Sequence, residues 1–254
     1  MSADKTAVID QCAEQVGGMV ARLFAPLSSL ADTVAEELGA VRGRGRRPAT
    51  SDLAFLRPMV LARLRQRTGP LHGAGVVFAP DALADARLHL EWWQRDGEET
   101  AALRVDLDPR SDRFYDYTAL RWFSVPRDEG HRTACGPYVD LHGAESYIVT
   151  FTLPLVVDGV FFGVVGGDAP VSGLARLLVP PLLRLDGDAA LTNSEGRVLA
   201  TTTAALPVGT LAHRSIGADA VMEQASVLVG RTHWHVVRRA GGPAEGRERH
   251  RRSA

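Results

Sequence analysis

Residues 147–168 read YIVTFTLPLVVDGVFFGVVGGD. Two apolar, β-branched runs flank Asp158-Gly159, a two-residue turn that suits hairpins because both residues tolerate positive φ. With that turn closed, Val157 faces Val160. Counting back without interruption, Phe151 faces Gly166 and Val149 faces Asp168. Opposed residues share a sheet face. Asp168 is therefore expected at the far end of the hairpin, beside Tyr147, Val149 and Phe151. Pro154 lacks an amide donor and marks an edge or a bulge.

Downstream, APVSGLARLLVPPLLRL (169–185) predicts a short helix stopped by Pro180-Pro181. ALTNSEGRVLAT predicts a hairpin with Gly196 in a left-handed position, and SVLVGRTHWHVVR (226–238) a last hairpin through Gly230-Arg231. Upstream, GAGVVFAP, RLHLEWWQR, AALRVDL and HRTACGPYVD read as strands, the middle two joined at Asp96-Gly97. Residues 108–130 form a loop with a helical turn around Tyr117–Phe123. The first forty residues are helical, with Val8, Cys12, Val16, Met19, Val20, Leu23, Leu27, Leu30, Val34 and Leu38 at three- and four-residue steps. Pro26 is expected to kink or split this helix, and Gly39 to end it. A basic loop follows. A second helix, capped by Ser51 or Asp52, then runs to Gln66 or Arg67. This order predicts an α+β fold, helices gathered on one side of an antiparallel sheet. The expected divisions are 1–68 (helices), 69–239 (sheet domain) and 240–254 (an unordered tail).

The chain has 254 residues, 45% of them hydrophobic and 23% charged, which is globular composition. A net charge of -1 gives no overall pull toward nucleic acid or an anionic membrane. Lys5 is the only lysine among 29 basic residues, a skew that fits codon usage rather than function. No apolar run is long enough to span a bilayer, and the N-terminus has no signal-type apolar core. With only Cys12 and Cys135, no disulfide framework exists. The sequence thus predicts a cytoplasmic, soluble protein.

Chemistry concentrates in 113–168. Tyr115 is followed by Trp122-Phe123, then by Gly136-Pro137-Tyr138, then by a strand carrying Pro154, the Asp158-Gly159 turn and Gly163-Val164-Val165-Gly166-Gly167-Asp168. In this ordered set the chain resembles the Cache (PDC) family of sensor domains, whose fold is PAS-like. The resemblance implies a small-molecule pocket on one sheet face. In amino-acid-binding members an arginine, a tryptophan and tyrosines hold the carboxylate, while a second tyrosine and an aspartate at the hairpin end hold the amine. By position these are Tyr115, Trp122, Tyr138 and Asp168, with Tyr117, Arg121 and Asp140 flanking them. Phe123 stands where a tyrosine is usual. Leu120 stands where the arginine is usual, and Arg121, one residue on, is turned by about 100° if helical. The resemblance therefore implies an ammonium-bearing ligand, either an amine or an amino acid held differently at its carboxylate. An aspartate beside aromatic faces suits such a cation on physical grounds alone. Gly166 and Gly167 are expected to leave room beside Asp168.

Each of these residues also has a plainer reading. Asp168 can cap the next helix, Trp122-Phe123 can plug the sheet and Tyr138 can begin a strand. His233 and His235 are a candidate metal pair lacking a third ligand. Cys135 is a candidate nucleophile with His131 or His142, and Asp106, Asp108 and Asp112 form a fragment of a calcium loop. None of these outweighs a non-catalytic sensor without cofactor or metal. Such a domain signals through a partner of unknown identity, or through a homodimer built on the apolar stripe of the first helix. The alternatives are an enzyme using Asp168 or His131 as base, and a transcriptional regulator acting through Arg42–Arg47 or the tail, for which nucleic acid would be the partner.

Overall fold

The computed structural model describes residues 2–66, 69–140, 147–215, 222–227 and 232–239, with side chains from residue 7. Contacts group the chain into two compact units. One comprises Val20–Leu174 with Gly230–Thr232, the other Met1–Met19, Ala175–Val229 and His233–Ala254. The divisions expected at 68 and 239 follow the order of helices and strands; by contacts, the first helix contributes residues to both units.

That helix, α1 (Ser2–Gly43), is longer than expected and unbroken. Pro26 and Ala25 are exposed, while Leu23, Phe24 and Leu27 beside them are buried. Arg22, whose carbonyl Pro26 leaves without its helical donor, is exposed as well, so the proline costs one hydrogen bond on the outer side of the helix. The helix runs past Gly39 because Val41 is buried and the Arg42 Nε pairs with Asp158 at 2.9 Å. The expected second helix is a 3-10 turn, Thr50–Leu53, followed by α2 (Leu56–Leu64). Asp52 accepts from the Ala49 amide at 2.9 Å.

In the Val20–Leu174 unit, β1 (Gly73–Phe78), β2 (Leu90–Asp96), β3 (Glu99–Ala102), β4 (Thr133–Val139), β5 (Tyr147–Val157) and β6 (Val160–Pro170) form one antiparallel sheet in the order β3-β2-β1-β6-β5-β4. α3 (Arg121–Glu129) extends the helical turn expected in the loop. One sheet face carries Phe151 and packs against α1, with Phe24 edge-on to Phe151 at 5.5 Å between ring centroids. The other face carries Thr150, Thr152, Asp168, Trp92 and Val77, and α3 lies over it.

The expected hairpin register holds only at the turn. Val157 faces Val160, but Leu155 faces Gly163 while Val156 faces Phe161, so β6 carries one extra residue. Beyond this bulge Phe151 faces Gly167, not Gly166, and Asp168 faces Thr150, not Val149. A slip of one residue exchanges sheet faces. Asp168 therefore leaves the face of Tyr147, Val149 and Phe151. Pro154 pairs in register with Val164, so the bulge is not at the proline. Phe162 is the extra residue, and the adjoining Gly163 lies at φ 141°, where a Cβ would lie 2.2 Å from the Val77 carbonyl.

The other unit holds α4 (Val171–Leu182, with residues from Ala175), β7 (Ala189–Thr192), β8 (Val198–Thr201), α5 (Ala212–Ser215), β9 (Met222–Val227) and β10 (Trp234–Arg239). Its sheet has the order β8-β7-β10-β9. Pro180 and Pro181 lie inside α4 rather than ending it. Gly196 is left-handed at φ 75°, as expected. Ala190, Val198, Leu206, Ala212 and Val237 form its core. The turn at 230–231 and the tail from Ala240 lie outside the described residues.

The apolar stripe of α1, expected as a dimer surface, is covered by the chain itself. Ile9, Cys12, Val16, Val20, Leu27, Leu30, Val34 and Leu38 are all buried. The basic loop is largely paired as well. Arg46 is bidentate on Asp52 at 2.7 and 2.6 Å, and Arg47 donates to the Asp81 and Leu83 carbonyls. No helix among the described residues is long and apolar enough to cross a membrane.

Candidate functional site

The site lies on the Asp168 face of the six-stranded sheet. Asp116 caps a 3-10 turn, Tyr117–Ala119, by accepting from the Thr118 amide at 3.0 Å. The Tyr117 hydroxyl donates to the Phe78 carbonyl at 2.8 Å and pins this turn to β1. α3 then begins, with Pro126 inside it. The amide that would bond the Trp122 carbonyl belongs to Pro126 and carries no hydrogen. Thr152 Oγ1 supplies the missing donor, reaching that carbonyl at 2.6 Å. A proline in the helix is thus the reason that Trp122 is tied to β5.

Trp122, Phe123, Tyr117, Trp92, Val77 and Val164 form one buried cluster, with Tyr115, Tyr138 and Cys135 packed on it. Beside it Asp168 is 7% exposed. Thr150 Oγ1 donates to Asp168 Oδ1 at 2.6 Å, and Tyr138 Oη bonds Thr150 Oγ1. A threonine hydroxyl has one proton, so the chain runs Tyr138 to Thr150 to Asp168. Gln94 Nε2 donates to Asp140 at 3.2 Å. A Cβ at Gly73 would meet Trp92 Nε1 at 3.0 Å, the Gln94 Cγ at 3.1 Å and Asp168 Oδ2 at 3.4 Å, so these three side chains converge over Gly73. The Trp92 N–H is buried without a partner in bonding geometry, although it lies near enough to favour the ionised Asp168.

Burial pushes the Asp168 carboxyl up to about 7; Asp140 adds to the rise, while Thr150 and Trp92 oppose it. Burial, then Asp168, pushes the Tyr115 and Tyr138 hydroxyls far above the ordinary tyrosine range, and Asp140 adds to this at Tyr115. No cationic side chain among the described residues contributes to these three shifts. The site is a buried acid among rings and hydroxyls with no resident counter-charge, an arrangement suited to a cation supplied from outside.

The structure brings together Tyr115, Trp122, Tyr138, Asp140 and Asp168. Tyr117 and Phe123 lie in the core beneath, both fully buried, Phe123 edge-on to Trp122 and Phe161. Arg121 is exposed at the start of α3 and does not join them. The room expected over Gly166 is occupied, since the Trp92 ring would lie 3.2 Å from a Cβ there. Gly167 is on the other face, against Leu71. Sequence reasoning missed Trp92, Gln94 and Thr150. Strand alternation placed Trp92 and Gln94 on one face, but only the pairing of Gly73 with both Gln94 and Asp168 shows which face.

The weaker candidates do not assemble. His233 precedes β10 at φ 47°, His235 bonds Gln224 at 3.0 Å, and no metal-binding group of three occurs among the described residues. Asp108 pairs with Arg110 at 2.9 Å in an exposed turn. His131 is exposed, and His142 lies outside the described residues.

The antiparallel sheet with its long N-terminal helix is a PAS-like α+β fold. The family model described as methyl-accepting chemotaxis protein-like, first PDC sensor domain, matches residues 59–176. The fold is also that of three solved chemoreceptor domains. The ligand-binding domain of Campylobacter jejuni Tlp3 in complex with L-valine is 13% identical at a TM-score of 0.62, covering 94% of this chain and 92% of that one. The domain of the Pseudomonas aeruginosa PAO1 amino acid chemoreceptor PctC in complex with GABA is 16% identical at 0.58, covering 91% and 95%. That of Pseudomonas fluorescens CtaA in complex with L-valine is 15% identical at 0.57, covering 92% and 96%. No curated protein matches the chain.

Proposed function

We propose that the Val20–Leu174 unit binds a small ammonium-bearing metabolite at Asp168 and works as a non-catalytic sensor whose signal passes to a partner chain. The observation that carries this reading is the buried Asp168 carboxyl, ringed by Trp92, Trp122, Tyr115 and Tyr138, with no cation contributing to its shift. L-valine and GABA, the ligands in the neighbours' titles, both present an ammonium group, which agrees with it. The enzyme alternative is disfavoured because its two candidate bases sit apart in character: His131 is exposed and Asp168 is buried.

Isothermal titration of the full chain against a panel of amines and amino acids is the test. At least one ammonium compound binds the wild type, Asp168→Asn weakens it a hundredfold or more, and the compound is recovered unchanged. Binding untouched by Asp168→Asn, or turnover of the bound compound, overturns the reading. The cytosolic placement expected from the sequence stays part of the proposal; recovery of the tagged full chain outside the cytosol on fractionation overturns it.

A further inference from the structure

We propose that the Trp92 indole N–H is a ligand-binding donor, so that the site takes a 1,2-amino alcohol in preference to an alkylamine or an amino acid; this rests on the reading of Asp168 above. Two cross-strand rows lie side by side on this sheet face. One runs Trp92, Gly75, Gly166, Thr152, and the next Gln94, Gly73, Asp168, Thr150. Glycines in the middle of both rows leave a hollow, and the Trp92 indole lies along it. A Cβ at Gly166 would meet its Cη2 at 3.2 Å, and one at Gly73 would meet its Nε1 at 3.0 Å. The ring thus crosses from the first row to the second, N–H end last. There Asp168 Oδ2 borders the same space, 3.4 Å from the Gly73 Cβ position.

The hydrogen-bonding groups in this space are unevenly used. Thr150 gives its proton to Asp168 Oδ1 and Tyr138 gives its proton to Thr150, so neither hydroxyl has a proton left for a ligand. Asp168 Oδ2 keeps acceptor positions. Trp92 Nε1 is shut off from solvent and lies near Asp168 without bonding it in proper geometry. A tryptophan N–H can only donate, and leaving it buried and unpaired forfeits its hydration without return. An ammonium held at Oδ2 therefore has an unused donor beside it. A hydroxyl on the carbon next to the amine-bearing carbon brings an oxygen to that donor while the ammonium stays on the acid. An alkylamine leaves the N–H unpaired. An amino acid supplies an oxygen, but one that sets a second negative charge beside Asp168.

Three small probes separate these cases: 2-aminoethanol, propylamine and glycine differ in the group on the carbon beside the amine-bearing one or in its place. Titration of the full chain at pH 7.5 is expected to show 2-aminoethanol binding at least tenfold tighter than propylamine, and tighter than glycine. Trp92→Phe keeps a ring on the glycine floor and removes the donor. It is expected to bring 2-aminoethanol and propylamine within about threefold of each other. A second readout uses the wild type: with the chain labelled at nitrogen, the Trp92 indole N–H proton signal moves downfield with 2-aminoethanol and not with propylamine. That signal is assigned by its absence from Trp92→Phe or, should this variant not fold, by elimination with Trp93→Phe, Trp122→Phe and Trp234→Phe. If propylamine or glycine binds as tightly as 2-aminoethanol, or the Trp92 signal does not move, the inference is overturned while the role of Asp168 stands. If no probe binds, or Asp168→Asn leaves all three unaffected, the underlying reading falls and this inference falls with it.

Discussion

Protonated, the Asp168 carboxyl loses little by its burial. Ionised, it is a charge on the inner face of a sheet with one hydroxyl donor and a neighbouring acid. Its folded value near 7 lies above the ordinary carboxylate range, so the stability gained from its protonation is complete below about pH 4 and is lost as pH rises through 7. Asp168→Asn removes that loss. The variant is expected to melt several degrees above the wild type at pH 8 and close to it at pH 4, read by thermal unfolding without ligand. A lower melting point at pH 8 contradicts the assignment. The residue proposed to hold the ligand is therefore one that destabilises the empty fold, which fits a group placed for a ligand. The sequence showed the aspartate and its aromatic companions, because residue type and order carry that information. It did not show Thr150, which became the partner of Asp168 only through register.

One inserted residue in β6 decides which face Asp168 occupies. Without the bulge beside Gly163 the carboxyl would point toward α1 and Phe24 instead of toward Trp92 and Tyr138. Gly163→Ala places a methyl 2.2 Å from the Val77 carbonyl at a backbone angle that side chains rarely adopt. The expected cost is about 3 kcal/mol, read by denaturant unfolding, with ligand binding lost alongside. A neutral effect on both would mean that the bulge is dispensable. The Thr152 hydroxyl does comparable work for α3. Thr152→Val leaves the Trp122 carbonyl without a donor inside the helix or from β5, at a cost of roughly 1–3 kcal/mol. Tryptophan emission is expected to change with it, and an unaltered spectrum and stability would refute the tie. Proline positions were visible in the sequence, yet their outcomes differ. Pro26 faces water and is tolerated, and Pro126 is compensated across the sheet.

Across the whole chain, the stripe on α1 that reads as an association surface is an interior surface. If two copies met through it, Leu27→Asp would yield a folded monomer. Because Leu27 is fully buried in the single chain, the expected result is loss of folding. Circular dichroism together with light scattering distinguishes the two, and a folded Leu27→Asp monomer would restore the dimer reading. Periodicity reports that a helix has an apolar side; it does not report what covers that side. For the same reason the strands were legible one by one, while their partition into a six-stranded and a four-stranded sheet was not.

Local sequence thus determined what depends on local chemistry: the long amphipathic helix, the Asp158-Gly159 turn, the individual strands, and the presence of an acid and aromatic rings in family order. Tertiary structure alone decided the face on which Asp168 lies, the arrival of Trp92, Gln94 and Thr150 beside it, and the exposure of Arg121. These follow from pairing between strands distant in sequence and from a one-residue bulge. With a side-chain period of two, a single residue of register reverses a face, and no local pattern fixes that count.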